Sequence, residues 1–313
     1  MNIIKPEKLR KGDMIGIISP SSPVTGKSRL DGGVAYFEKM GYRVQLGSNV
    51  MKTWGYLAGT DAQRVSDIHE MFLNKSVKLI ICLRGGYGAS RLLDKIDYNL
   101  IRENPKIFCG YSDITALQNA ILHKTGLVTF AGPMPGVDFY KDISSFTEEN
   151  FWQTVTDNRP VKVSNPSGVT LNCLKKGSAT GRLFGGNLSL FASLIGTCYL
   201  PQPDNKILLL EEIGEVPYRI DRMLNQLRLA GILGKINGLI MGSFSDCEET
   251  DPERNSLTFN EVVEDYFIKN FNAPVFNNVS HGHLINNLTL PIGINIAMNG
   301  NNCSLEFLES HLS

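Results

Sequence analysis

Gly110-Tyr111-Ser112-Asp113-Ile114-Thr115 sets a hydroxyl where the apolar run 106–109 (Lys-Ile-Phe-Cys) gives way to the helical periodicity of ITALQNAIL. A serine on such a strand-to-helix turn has its hydroxyl exposed and helix-terminal N–H groups close by, which suits a nucleophile. Gly110, two residues before it, relieves crowding. The glycine two residues after the serine in the usual hydrolase elbow is replaced by Ile114. The same hexapeptide serves equally if Ser112 or Asp113 is simply the N-cap of the following helix.

A hydroxyl nucleophile needs a base, and imidazole is the usual one because it titrates near neutrality. The chain has five histidines, at 69, 123, 281, 283 and 311. His69 and His123 fall within amphipathic helical patterns and His311 near the C-terminus, whereas His281 and His283 share a Gly/Asn-rich loop, VSHGHLINNLTLPIG, behind a strand-like PVFNNV. An HxH pair is also a metal motif, but no Cys, Asp or Glu nearby completes a familiar ligand spacing. The imidazole must in turn be oriented by an acceptor on a rigid element. Glu211, directly after the apolar run KILLL, meets that need, with Glu212 and Glu215 as competitors and a strand-end charge or helix-capping acid as the plainer roles. A fourth feature is Arg84-Gly85-Gly86-Tyr87-Gly88 at the end of KLIICL. Adjacent glycines there let a backbone N–H approach an oxyanion, while neither GxGxxG nor a Walker motif is present for a nucleotide.

The elements that must position these residues alternate. MIGIISP, YRVQLG, KLIICLRGG and KIFCGYSD read as buried strands, separated by helical SRLDGGVAYFEKMG, DAQRVSDIHEMFLN and ITALQNAILHKTG. That rhythm predicts an α/β fold, its N-terminal lobe (1–140) a mostly parallel sheet with flanking helices. Residues 141–180 break it with a helical piece around Phe151 and a Pro/Asn/Ser-rich stretch, and read as a linker. Residues 181–313 then read as a smaller C-terminal α/β lobe with a β-rich tail, built on GRLFGGNLSLFASLIG, KILLLEEIGE, PYRIDRMLNQLRLAG and INGLIMGSF.

Composition excludes several classes. Lys+Arg and Asp+Glu each number 31, so no global field steers nucleic acid or an anionic membrane toward the chain. With 42% hydrophobic and 20% charged residues the chain has ordinary globular usage, and no run approaches the roughly 18 apolar residues of a membrane span. The basic start lacks the h-region and cleavage site of a signal peptide, so the expected compartment is the cytoplasm. Six scattered cysteines without a CxxC pair read as free thiols.

Taken in order, RGGYGASRLLDKIDYNLIRENPKIFCGYSDITAL, GRLFGGNLSLFASLIGT, LLLEEIGEVPYRIDRML and GHLINNLTLPIG resemble the LD-carboxypeptidase family of serine peptidases, which includes the microcin-C immunity peptidases. The resemblance implies Ser112 as nucleophile, Glu211 as the residue that orients the base, and His283 rather than His281 as that base. It further implies the backbone N–H groups of Gly86 and Asp113 as oxyanion donors, a two-lobed fold, a homodimer, and no metal or cofactor. Its activity would be cleavage of an amide between an L-centre and a terminal D-amino acid, notably release of D-Ala from the murein tetrapeptide. Two rivals stand beside it: hydrolysis of a peptidyl- or aminoacyl-nucleotide amide, for which residues 141–180 offer only Phe151 and Trp152 as an aromatic platform, and a catalytically idle binding protein. Since neighbouring residues of an extended strand face opposite ways, Glu211 and Glu212 are not expected to reach the same imidazole.

Overall fold

β1 (Met14–Ile18), α1 (Lys27–Lys39), β2 (Arg43–Leu46), α2 (Asp61–Leu73), β3 (Val77–Cys82), α3 (Tyr98–Glu103), β4 (Ile107–Gly110), α4 (Thr115–Thr125) and β5 (Thr129–Ala131) follow one another in the first lobe. The structure is a computed structural model describing residues 2–160 and 162–313. The five strands are parallel in the order β2-β1-β3-β4-β5. In β3, Leu79 and Ile81 enter one core, and Ile80 and Cys82 enter another under α2 and α4. Both faces being buried explains why the strand reads as an unbroken apolar run. Because β1 lies between β2 and β3, the loops after β1 (19–23), β3 (84–88) and β4 (111–114) emerge together at the carboxyl edge, where open α/β sheets bind ligands.

The second half adds α5 (Ser145–Thr156), β6 (Lys162–Val163), β7 (Asn172–Lys175), β8 (Ser178–Asn187), α6 (Leu188–Ser193), β9 (Lys206–Ile213), α7 (Pro217–Leu229) and β10 (Gly238–Ser245). After these come α8 (Phe259–Val263), β11 (Val275–Asn277), β12 (Leu290–Ile292), β13 (Asn295–Asn299) and β14 (Ser304–Phe307). The second sheet has eight strands in the order β6-β14-β13-β8-β9-β10-β11-β7, of which β8 to β11 are parallel. On its outer face, Phe184, Leu208 and Leu210 pack under Phe191, Ile220 and Leu224 of α6 and α7. Its inner face shares one apolar core with the first sheet: Leu183, Ile207, Leu209 and Ile296 join Ile15, Ile17, Leu79 and Ile107.

Residues 141–180 correct the linker reading. They carry α5, β6 and β7, and the two strands occupy opposite edges of the second sheet. At two and four residues these edge strands are too short for the alternation by which a strand is recognised. β12 also departs from a lobe-by-lobe reading, since it lies antiparallel against β5 and extends the first sheet from late in the chain. Phe151 is fully buried, and Trp152 stacks on Tyr42 at 4.9 Å while its Nε1 donates to Tyr36 Oη at 2.8 Å. Neither ring is a platform for a nucleobase. All six cysteines are free thiols, with Cys82, Cys109 and Cys247 buried and Cys198 exposed. Among the described residues no helix is long and apolar enough to cross a membrane.

Candidate active site

β4 ends in Gly110, and the chain turns sharply at Ser112, whose φ of +63° is a left-handed conformation that costs a serine roughly 1–2 kcal/mol. A short 3₁₀ turn, Ser112–Ile114, leads into α4. The alternative role as N-cap is not taken up, since neither Ser112 nor Asp113 bonds the helix start through its side chain. Asp113 instead points down. Its Oδ2 accepts from Ser21 Oγ at 2.6 Å and from the Ala89 N–H at 2.8 Å, tying the Ser112 turn to the loops after β1 and β3. Burial raises its pKa against those two bonds.

The loop after β3 lies directly on the serine. A Cβ on Gly85 would sit 3.0 Å from Ser112 Oγ and 3.3 Å from the Asp113 nitrogen. Gly86 has φ +115°, and a Cβ there would meet Ser22 Oγ at 2.5 Å, so both glycines are required by space. Among the described residues, neither the Gly86 N–H nor the Asp113 N–H donates to another group of the chain.

This loop is held from below by Arg64, which is 1% exposed although its chemistry favours the surface. Its Nη1 donates to the carbonyls of Pro20 and Gly88, and its Nη2 to Asp61 Oδ1 at 2.6 Å. Sequence reading missed this clamp because Arg64 looks like any polar position on an amphipathic helix. Arg64→Met is expected to lower unfolding stability by about 3 kcal/mol, since two buried carbonyls and Asp61 lose their partner. Denaturant unfolding measures it, and a loss under about 1 kcal/mol would show that the clamp is dispensable.

On the facing lobe, β9 carries two buried glutamates with opposite fates. Glu211 Oε2 is 2.8 Å from His283 Nδ1. Glu212 turns the other way, accepting from Asn187 Nδ2 and the Ser189 N–H at 2.8 Å each, beside the start of α6. The alternation of β9 explains this, because Leu209 shares the face between the lobes with Glu211, whereas Leu208 and Leu210 pack under the helices with Glu212. Glu215, beyond the strand, pairs with Arg219.

The histidine loop is built to press against Glu211. Gly282 has φ +115°, and a Cβ there would come within 2.5 Å of Glu211 Oε2. Gly242 would likewise strike the His281 carbonyl. The loop is pinned at its far side by α5: Thr147 Oγ1 donates to the Ile285 carbonyl and accepts from the Asn287 N–H, each at 2.8 Å. Ser144 caps α5 through the Thr147 N–H, so the helix in the supposed linker positions the loop. Burial pushes the His283 pKa down, but the hydrogen bond and charge of Glu211, helped by Glu212 and Asp138, leave it raised overall. Asp138 is itself buried, which pushes it up to about 6.

His281 is a different residue in kind. It is 1% exposed, its Nδ1 is 2.8 Å from the Leu288 carbonyl, and burial lowers its pKa. His281→Ala is expected to cost about 2 kcal/mol of stability while retaining at least about a tenth of wild-type turnover where folded, and His283→Ala to be inactive. A dead His281→Ala beside an active His283→Ala would reverse the assignment.

Tyr111 bridges the two lobes, its ring 5.1 Å from that of His283 and edge-on to it. The structure thus joins Glu211 to His283, and joins Ser112 and Asp113 to the Gly85–Gly86 turn, while no hydrogen bond runs directly from Ser112 to His283. Among the described residues no three His, Cys, Asp or Glu side chains converge as a metal site.

Two family models match the chain, the LD-carboxypeptidase N-terminal domain over residues 15–132 and the LD-carboxypeptidase C-terminal domain over residues 180–298. The chain belongs to the LD-carboxypeptidase family. A probable murein peptide carboxypeptidase of Bacillus subtilis is 41% identical over 296 residues, covering 94% of this chain and 91% of the relative. The microcin C7 self-immunity protein MccF of Escherichia coli is 31% identical, covering 97% and 96%. The crystal structure of a muramoyltetrapeptide carboxypeptidase from Oxalobacter formigenes superimposes with a TM-score of 0.82 at 31% identity, covering 94% and 97%. Membership of the LD-carboxypeptidase family makes the protein a peptidase of the carboxypeptidase class and accounts for its two-lobed α/β architecture.

Proposed function

We propose that the protein is a serine carboxypeptidase that cleaves the amide between an L-centre and a terminal D-amino acid, releasing D-Ala from the murein tetrapeptide during peptidoglycan recycling. The observation that carries this reading is the Glu211–His283 bond on one lobe, facing a serine held at φ +63° on the other. With Nδ1 committed to Glu211, Nε2 of His283 is the atom available to take the serine proton. Ser112 Oγ bonds to the scissile carbonyl carbon as its proton passes to Nε2. The carbonyl electron pair moves onto oxygen, which the N–H groups of Gly86 and Asp113 stabilise. Collapse of this intermediate breaks the C–N bond, and His283 returns the proton to the departing amine. A water then repeats the sequence on the acyl-enzyme and frees the shortened peptide.

The lobe division fits this scheme, with Ser112 in 1–140 and Glu211 and His283 in 181–313. We take the working unit to be a cytoplasmic homodimer acting on a small peptide, as the family resemblance implies. The test is to incubate purified protein with murein tetrapeptide and follow loss of one alanine by mass spectrometry, with a peptidyl-nucleotide amide as the parallel substrate. Cleavage of the nucleotide conjugate alone would transfer the assignment to the immunity-type activity. The burial of Phe151 and the stacking of the partly buried Trp152 on Tyr42 argue for the tetrapeptide.

A further inference from the structure

We infer that Arg84 receives the C-terminal carboxylate of the peptide and so confines the enzyme to chain ends; this rests on the carboxypeptidase reading above. A carboxypeptidase must distinguish a terminal residue from an internal one, and the free carboxylate is the only charged group that differs between them. Its carbon lies roughly 3–4 Å from the scissile carbonyl carbon, three covalent bonds along the chain. The cation that reads it must therefore sit beside the nucleophile.

The arginines around the carboxyl edge of the first sheet are otherwise engaged. Arg64 and Arg91 bond Asp61. Arg29 lies 4.8 Å over the Tyr140 ring, with its Nη1 toward the Gly136 carbonyl. Lys141 also sits over Tyr140, at 5.6 Å. Arg84 alone among these has neither an acid nor a ring. It is half-buried, and among the described residues no carboxylate lies within 4 Å of it. Its Nε and Nη1 donate to the carbonyls of Gly85 and Pro23 at 3.2 and 3.3 Å, which fixes the guanidinium plane. Its Nη2 carries no such bond and lies 3.6 Å from where a Gly86 Cβ would stand. The adjacent Gly85 abuts Ser112 Oγ in the same manner.

A guanidinium taken partly out of water without a counter-ion is costly, and a carboxylate offered to its remaining donors offsets that cost with short charge-assisted bonds. The same two glycines that leave room for an oxyanion also set the distance between Ser112 and Arg84. The ligand class is a peptide ending in a free α-carboxylate. An amide, an ester or an internal peptide bond at that position leaves Nη2 unpaired.

The experiment compares two murein tetrapeptides, one with a free C-terminal carboxylate and one with a C-terminal carboxamide, on wild-type protein, Arg84→Gln and Arg84→Lys. Wild type is expected to favour the acid by about 100-fold in kcat/KM, mainly through KM, because the contact exists before and during reaction. Arg84→Gln should lower the acid rate by about the same factor and leave the amide rate unchanged, while Arg84→Lys keeps charge without the planar fork and retains about tenfold preference. An Arg84→Gln enzyme that keeps the full preference for the acid overturns the assignment. So does one that loses acid and amide rates equally, which would assign Arg84 to holding the loop through Pro23 and Gly85. A wild type that cleaves neither peptide refutes the carboxypeptidase reading itself, and the assignment with it.

Discussion

A Ser112→Ala protein is expected to fold as well as the parent and to cleave the tetrapeptide at least about 10⁴-fold more slowly, because the side chain proposed to supply the attacking oxygen is the one removed. The fold should tolerate the change. Ser112 Oγ takes part in no side-chain cap, and the buried bonds of the turn belong to Asp113. Alanine pays the same left-handed backbone strain at φ +63°, so the thermal midpoint should stay within a few degrees. Ser112→Gly relieves that strain and should be at least as stable as Ser112→Ala while equally inactive. Single-turnover assays at high enzyme concentration measure the residual rate, and activity within about tenfold of the parent would remove Ser112 from the mechanism.

Glu211→Gln is expected to cut turnover by about 10³-fold or more, with Glu212→Gln staying within about tenfold of the parent. Glu211 is buried, its Oε1 has no hydrogen-bond partner among the described residues, and its bond through Oε2 is to His283. The amide fixes neither the tautomer nor the positive charge that His283 acquires. The pH profile gives an independent readout. His283 must be neutral to accept a proton, and its pKa is raised, so kcat/KM of the parent should climb with pH through a value above the ordinary 6.5. Removing the Glu211 charge leaves burial dominant, and the limb should move to lower pH. Glu212→Gln should instead act on stability, because its carboxylate holds the Ser189 N–H and Asn187 beside α6. The idea fails if Glu211→Gln is nearly fully active or if its pH limb does not move.

The strand-to-helix turn of Ser112, the glycine turn after β3 and the buried glutamate at the end of β9 were all legible because each follows an apolar run ending in an unusual residue. The opposite facing of Glu211 and Glu212 was also legible, as a property of any extended strand, though not which of them faced the imidazole without the family likeness. Other features carried no local signal. The left-handed backbone at Ser112 sits in a tightly packed turn between β4 and α4, where a Cβ on Gly110 would lie 3.0 Å from Ile114. The pinning of the histidine loop by Thr147 spans 140 residues of sequence and rests on a threonine that any helix start could carry. Arg64 reads as a surface residue because periodicity counts polarity and cannot count buried carbonyls waiting for a donor. The aromatic pair at 151–152 was misleading in the same way, since an apolar ring serves a core and a binding face equally well in sequence.

The antiparallel placement of β12 against β5 has a consequence for the order of synthesis. The first sheet lacks its outer strand until Leu290–Ile292 leaves the ribosome, only seven residues after His283. An emerging chain therefore carries the Ser112 turn for most of its translation beside an open, apolar sheet edge, the kind that other chains can join. His283 and the strand that covers β5 arrive almost together, so under the proposed mechanism an unfinished chain has the serine without its proton acceptor, and both the imidazole and the outer strand are added in the same few tenths of a second to seconds of elongation, at about 5–20 residues per second.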